Sequence, residues 1–534
     1  MEEFLTNLVA TINSYLADWI LVILLIGVGI FFTIKTKFVQ IRCFGEGMRK
    51  VFGGMSLKGK KQKGGMSSFQ AFTTAVAAQV GTGNIIGATA AILTGGPGAI
   101  FWMWIIAFFG MATIYSEAVL AQKTKQTDKN GFITGGPVYY IRTAFKGGFG
   151  KFLAGFFAVA TIIALGFVGS MVQSNSIGEA VSNATGMPAW SVGIIITVLA
   201  GIIFIGGISR IASVTEKIVP IMAILYLLGG LIIICCRITV IPETFAMIFK
   251  FAFVPNAIIG GGIGYALKTA ITQGAKRGLF SNEAGMGSTP HAHALAKVKT
   301  PHEQGITAMV GVFIDTFIVL TFTALMIIST LYAGNGPLLS GAGADINKSN
   351  ALATAISYAF GGGNVALTIG SIFVAICLTF FAFSTIVSWN LFGRANFNYL
   401  FKKKGGIIYS IIALAFIMLG SFLKNNLVWE LTDFFNYLMV LPNAIALIAL
   451  YKMVTNEIKL HDARKKGHQL KPNGEPLDKF ENGVPLITLS DLNLSEPKSF
   501  LETCYNTDMP VKSEETEVAE QVAEVKEEND TTVE

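Results

Sequence analysis

The chain has 534 residues, 52% of them hydrophobic and 14% charged, with mean hydropathy +0.59 and a formal charge of +7. Soluble proteins carry about 25% charged residues, so this composition excludes an ordinary soluble domain, and the modest positive charge does not mark a nucleic-acid binder. The five cysteines (Cys43, Cys235, Cys236, Cys377, Cys504) are scattered without a CxxC spacing, which points to neither a disulfide framework nor a zinc site.

The first fifteen residues are acidic and amphipathic, without the basic region and cleavage site of a signal peptide. A first spanning segment is predicted at 16–34. Ten more follow at 68–94, 98–121, 152–180, 190–207, 216–236, 256–274, 305–332, 365–392, 407–423 and 428–452, each near the 20 residues a bilayer requires. The stretches 243–253 and 350–360 are amphipathic and read as short helices in outer loops. Beyond Lys452 the apolar runs stop, and residues 513–534 hold nine acidic residues and one lysine, the composition of a disordered tail.

Basic residues predict the orientation. The loops 35–67, 122–151, 208–217, 275–304 and 393–406 hold 25 Lys/Arg, and the opposite loops hold four: Arg237, Lys250, Lys348 and Lys424. The basic side belongs in the cytoplasm, which places the N-terminus outside and the C-terminus inside, as in a multi-pass protein of a prokaryotic cytoplasmic membrane.

Within 68–94 the middle reads Gly81-Thr82-Gly83-Asn84. Backbone freed at membrane depth is tolerated only where it is buried in protein or lines a cavity. A second glycine cluster, Gly260-Gly261-Gly262-Ile263-Gly264, opens the later set of five segments. Five is odd, so the second set starts from the opposite side, the pattern of an inverted repeat with interrupted helices at corresponding positions. The organisation expected is a peripheral span and basic loop (1–67), two repeats (68–237 and 238–455) and a cytoplasmic tail (456–534).

An unwound segment offers free N–H groups to a carboxylate and free carbonyls to a small cation. Gly81, Thr82 and Gly83 let backbone approach a ligand, and Asn84 adds an amide oxygen, an inventory suited to a zwitterionic amino acid with a coupled cation. Gly81-x-Gly83-x-x-x-Gly87 is not a dinucleotide loop, because it has one residue too many and no preceding strand. Ser384, Thr385 and Ser388 either ligate sodium or bond their own i−4 carbonyls, and Trp389 either gates a pocket or joins an interfacial belt. Gln173 and Asn175 either contact substrate or bridge helices. Asp315 lies deep in its segment, where it can neutralise a cation or carry a proton. Lys268 either pairs with Asp315, occupies a cation position, or snorkels to the cytoplasmic face. Glu117 is expected to pair with a loop base, and His291 and His293 to sit in a cytoplasmic loop without metal partners. No nucleophile–base pair or filter ring appears in the spans, which disfavours a membrane enzyme or a channel.

Several of these stretches resemble the alanine or glycine:cation symporter family: QVGTGNIIGATAAILTGGPGAIFWMW (79–104), GGPVYYI (135–141), GAKRGLFSNEAGMGSTPHAHA (274–294) and FFAFSTIVSW (380–389). The resemblance covers about residues 15–455 and implies an all-α LeuT-type fold, with one extra N-terminal helix before a five-plus-five inverted repeat. It implies sodium- or proton-coupled uptake of a small neutral amino acid, alanine or glycine foremost, with no cofactor beyond the coupling ion. By the same resemblance, backbone around Gly81 to Gly83, with Thr82 and Asn84, would hold the substrate carboxylate, and Gln173, Ile263 and Trp389 would shape the pocket. One sodium site would join carbonyls of Ala77 and Val80 to the hydroxyls of Ser384 and Thr385. Asn84, Thr269 and Asp315 are the natural members of a second cation site. Glutamine preference and a non-transporting amino-acid sensor are the alternatives.

Overall fold

The computed structural model describes residues 2–465 apart from 54–64, 128–130, 254–262, 341–342, 344, 402–405 and 424. Helices dominate, and a two-stranded ribbon pairs Gln126–Thr127 with Ile133–Thr134. Among the described residues six helical stretches are long and apolar enough to cross a membrane: Ala99–Thr124, Gly147–Thr185, Gly207–Cys236, Pro301–Leu331, Asn364–Phe401 and Leu427–Ala449. A seventh is the pair Ser68–Gln79 and Gly83–Gly95, bent by 45° at its break. Val22–Lys35, Ala189–Ile205 and Gly406–Gly420 are shorter apolar helices.

Outward faces are apolar rather than charged. Ile195, Val198 and Ile202 on one helix, and Ile224, Leu228 and Ile232 on the next, are exposed. Such a surface suits lipid, since a water-soluble monomer rarely exposes contiguous apolar patches this large. The amphipathic stretches form helices Ile241–Phe253 and Ala351–Ala359, close to the predicted bounds.

Local sequence sets the helix that carries the first break. Ser67 caps Ser68–Gln79 through a capping box with Gln70. Gly96, at φ +73°, stops the second half, a conformation that favours glycine. Four described stretches widen into π-helical turns, Leu16–Leu21, Gly83–Gly87, Ile162–Gly169 and Phe313–Leu320; such turns gather at functional sites, and here two of them carry Asn84 and Asp315.

Two expectations change. Helix Tyr451–Lys465 buries Val454, Ile458 and Leu460 against the bundle, so the tail expected from residue 456 starts no earlier than 466, where the described residues end. Of the second glycine cluster, Gly260 to Gly262 lie outside the described residues, and helix Ile263–Asn282 runs unbroken after them. The chain unwinds at 283–289, where no break was expected, and resumes as Pro290–Ala294. Glu283 (φ +58°), Gly285 (φ +91°) and Gly287 (φ +78°) take left-handed conformations there. The stretch predicted as a cytoplasmic loop is thus a buried interruption, and Arg277 lies inside the protein, paired with Asp433 at 3.0 Å and stacked on Trp429.

Candidate functional site

The two interruptions face each other. A Cβ added at Gly83 would lie 3.0 Å from both Phe280 Cδ1 and Ser281 Cα, so only glycine lets the two helices approach this closely. Gln79 Nε2 donates to the carbonyl of Asn282 at 2.8 Å, tying the end of one half-helix to the end of the other.

The backbone N–H groups freed at the first break are met by side-chain amides. Gly81 N–H donates to Asn84 Oδ1 at 3.1 Å, and Thr82 N–H donates to Gln173 Oε1 at 3.2 Å. The Thr82 hydroxyl is fully buried and has no hydrogen-bond partner. Sequence reasoning assigned these residues to one place, and the fold brings Gly81, Thr82, Gly83, Asn84 and Gln173 together.

Asn84 links this backbone to Asp315. Its Nδ2 donates to Asp315 Oδ1 at 2.7 Å, while Ser281 and Thr316 donate their hydroxyls to Asp315 Oδ2 at 2.9 and 2.8 Å. Asp315 is fully buried, and no basic side chain among the described residues pairs with it. Lys268 is exposed rather than placed against it. Thr269 is also absent from this group: its hydroxyl back-bonds to the Tyr265 carbonyl at 2.8 Å, and Ser281, twelve residues on, supplies the hydroxyl from that helix. Ile263 opens the helix, but its side chain lies outside the described residues. The placements of Lys268 and Thr269 follow from the break lying at 283–289, beyond both of them.

A second cluster lies behind Gly81. Thr385 Oγ1 donates to the carbonyl of Ala77 at 2.9 Å, and also lies 3.1 Å from the Phe381 carbonyl and 3.5 Å from that of Ala78. Ser384 Oγ lies 2.9 Å from the Phe381 carbonyl and 3.4 Å from that of Ala77. Thr385 thus back-bonds its own i−4 carbonyl, Ser384 its i−3 carbonyl, and both also reach the neighbouring helix at Ala77. Two hydroxyl protons face three carbonyl oxygens, an excess of oxygen ligands that suits a hard cation. Val80, at the break, ends the helix that presents these carbonyls. The Ser388 hydroxyl is buried without a partner.

Trp389 is buried, not interfacial. Its indole N–H donates to Glu283 Oε1 at 2.6 Å, and its ring meets Phe280 edge-on. Glu283, unwound and buried, also accepts from the Ser288 hydroxyl. Glu117 bonds no loop base; it accepts from Asn443 Nδ2 and from the Gly287 N–H at 3.1 Å. Asn175 bridges helices, donating to the Gly420 carbonyl at 2.9 Å. His291 and His293 are buried, held by Asn396 and Gln304, so the HAHA stretch packs as the short helix after the second interruption rather than as an exposed loop. Sequence reasoning missed Gln79, Ser281, Glu283 and Thr316. The signal present was Asn282-Glu283-Ala284-Gly285-Met286-Gly287, a carboxylate among glycines directly after a helical run.

The profile of the sodium:alanine symporter family matches residues 2–474. The chain is 39% identical to the sodium/alanine symporter AgcS of Methanococcus maripaludis over 86% of its length and 98% of that protein's. It is 38% identical to the probable sodium/glutamine symporter GlnT of Bacillus subtilis, over 92% of this chain and 98% of that one. The crystal structure of MhsT in complex with L-phenylalanine superposes with a TM-score of 0.50 at 13% identity, covering 84% of this chain and 97% of MhsT, a likeness of fold alone.

Proposed function

The chain belongs to the sodium:alanine symporter family, and from that premise we propose that it imports a small neutral amino acid, alanine or glycine, together with sodium. It is a multi-pass membrane transporter in which a sodium gradient drives amino-acid uptake. The observation that carries the substrate reading is the meeting of two interrupted helices at Gly83 and Ser281. N–H groups of Gly81 and Thr82, held here by the Asn84 and Gln173 amides, are the donors a substrate carboxylate would take over. Close backbone approach at Gly81 and Gly83 leaves room for a small side chain. Ala77, Val80, Ser384 and Thr385 form the sodium site, and Asn84, Ser281 and Asp315 a second polar cluster able to take a cation or a proton. AgcS and GlnT are named for alanine and glutamine respectively, so glutamine stands as the substrate to test against alanine.

The same reading extends to architecture. The six long apolar helices, the bent pair, the three shorter apolar helices and Ile263–Asn282 make eleven spans, one peripheral and ten in two sets of five. Interruptions at 80–82 and 283–289 fall in the first helix of each set, which supports an inverted repeat. The N-terminus is outside and the C-terminus in the cytoplasm of a prokaryotic cell. Access alternates as one group of helices rocks against the other, and substrate favours closure only through better contacts in the closed state.

A second reading, proton coupling through Asp315, has one observation in its favour: that carboxylate is buried among neutral donors. Proteoliposome uptake of labelled alanine, glycine, serine and glutamine, with sodium and proton gradients imposed separately, decides between them. Accumulation of alanine or glycine under sodium alone is the expected result. Accumulation under protons alone moves the coupling to Asp315, and binding without accumulation under either gradient replaces transport with sensing.

A further inference from the structure

Away from both interruptions, four side chains from three distant parts of the chain converge. Cys43 lies between helices Val39–Arg42 and Phe44–Gly53, and Glu46 lies in the latter. His302 is the second residue of helix Pro301–Val312, and His461 belongs to Tyr451–Lys465. One ligand atom of each lies within 4.8 Å of every other. Nε2 of His461 is 3.3 Å and Nε2 of His302 is 3.7 Å from the Glu46 carboxylate. A tetrahedral ion with sulfur at about 2.3 Å and nitrogen or oxygen at about 2.1 Å holds its donors roughly 3.3–3.8 Å apart. Side-chain rotations of about an ångström bring this set to that spacing.

The cluster is a built site rather than a meeting of surface charges. Cys43 is 3% and His302 1% exposed. The Nε2 atoms of both histidines are buried and lack a hydrogen-bond partner, a condition native interiors avoid. The other ring nitrogen of His302 is 2.8 Å from the buried Tyr115 hydroxyl. That bond fixes the ring with Nε2 toward Cys43 and Glu46, as outer partners do for metal-bound imidazoles. Glu46 is half-exposed and leaves a way in.

We propose that Cys43, Glu46, His302 and His461 bind one zinc ion, which ties helix Tyr451–Lys465 to the 39–53 segment and to the start of the Pro301–Leu331 span. One thiolate, two imidazoles and one carboxylate form a borderline donor set that selects zinc over magnesium or calcium. Four protein ligands close the coordination sphere, as in structural rather than catalytic zinc sites. The ion sits on the face that the basic loops assign to the cytoplasm, and it plays no part in the transport site.

The test uses the full-length protein in detergent with its affinity tag removed. Metal is stripped by chelator, then zinc is titrated against a chromophoric chelator, and cobalt(II) is titrated separately by absorption. One zinc per chain is expected, and cobalt should give intense tetrahedral bands with a thiolate-to-cobalt charge-transfer band. Cys43→Ser should remove the charge-transfer band, and His461→Ala should weaken zinc binding at least about tenfold. Gel filtration checks that both variants remain folded, and the wild-type cobalt spectrum decides without either. Substoichiometric zinc, an octahedral cobalt spectrum lacking the thiolate band, or wild-type affinity in both folded variants would overturn the proposal. In that event Glu46 and the two imidazoles form an ion pair only.

Discussion

Substituting Gly81 by alanine should damage sodium binding although the residue carries no sodium ligand of its own in this reading. A Cβ at this position would lie 2.5 Å from Thr385 Oγ1. Ordinary van der Waals contact begins at 3.4 Å, so the hydroxyl must retreat by about 0.9 Å. It now lies 2.9 Å from the Ala77 carbonyl and 3.1 Å from that of Phe381, and a retreat of that size breaks the cluster. Interactions of a hydroxyl with a charged group contribute about 1.5–3 kcal/mol, and each 1.4 kcal/mol is about tenfold in an equilibrium constant. Gly81→Ala should therefore raise the sodium concentration for half-maximal uptake about ten- to a hundredfold. Proteoliposome uptake of labelled alanine across a sodium series measures it. Thr385→Ala removes the same hydroxyl directly, so adding Gly81→Ala to it should change sodium dependence little further, a coupling a double-mutant cycle reads. Unchanged sodium dependence in folded Gly81→Ala protein, or fully additive effects, would refute the reasoning.

Asn84→Ala removes both the bond to Gly81 N–H and the donor to Asp315; uptake efficiency should fall at least about a hundredfold while membrane insertion stays normal, and near-normal uptake would sink the assignment. Asp315→Asn leaves the Ser281 and Thr316 hydroxyls facing an amide, so gradient-driven accumulation should be lost, with retained accumulation counting against any role in coupling. Trp389→Phe deletes the donor to Glu283 and should lower uptake without changing the sodium requirement; a sodium shift equal to that of Thr385→Ala would place Trp389 in the ion site instead. A chain ending at residue 470 keeps every described helix, including His461, and should transport normally, whereas complete loss despite normal insertion would make residues beyond 470 integral.

The first interruption was legible because nothing else explains two glycines and an amide inside an apolar run. Its neighbours in space were legible only through resemblance, since Thr385 meets Ala77 across more than three hundred residues. The interruption at 283–289 was missed for a physical reason. Lys276, Arg277 and Glu283 look incompatible with a membrane segment, so the predicted span ends before them. Arg277 is tolerated inside because Asp433, from the last apolar helix, neutralises it at 3.0 Å. Glu283 is tolerated because Trp389 and Ser288 donate to it. Asp433 and Trp389 lie 156 and 106 residues away in sequence, so no local rule could have supplied them. The cluster around Cys43 was hidden in the same way: Cys43 has no metal-ligand spacing along the chain, and the histidines beside it arrive from residues 302 and 461.

The geometry also bears on why ion and substrate should travel together. Residues 77–84 serve both clusters with one short piece of backbone. Its carbonyl end, at Ala77 and Ala78, faces the Thr385 hydroxyl, and its N–H end, at Gly81 and Thr82, faces the Asn84 and Gln173 amides. Gly81 is squeezed between the two: a Cβ added there would lie 2.5 Å from Thr385 Oγ1 and 3.3 Å from Gln173 Oε1. An ion that draws the carbonyls and the Thr385 hydroxyl together fixes the backbone from which the N–H groups project. A carboxylate that gathers those N–H groups fixes the carbonyls in turn. Each ligand thus meets part of the ordering cost of the other, which is positive coupling, and thermodynamic reciprocity makes the factor equal in both directions. Asn84 carries the same logic to the second interruption, because one amide accepts from Gly81 and donates to Asp315. A symporter needs this property, since loading with ion or substrate alone would dissipate the gradient. The unwound segment supplies it with no moving part beyond its own backbone.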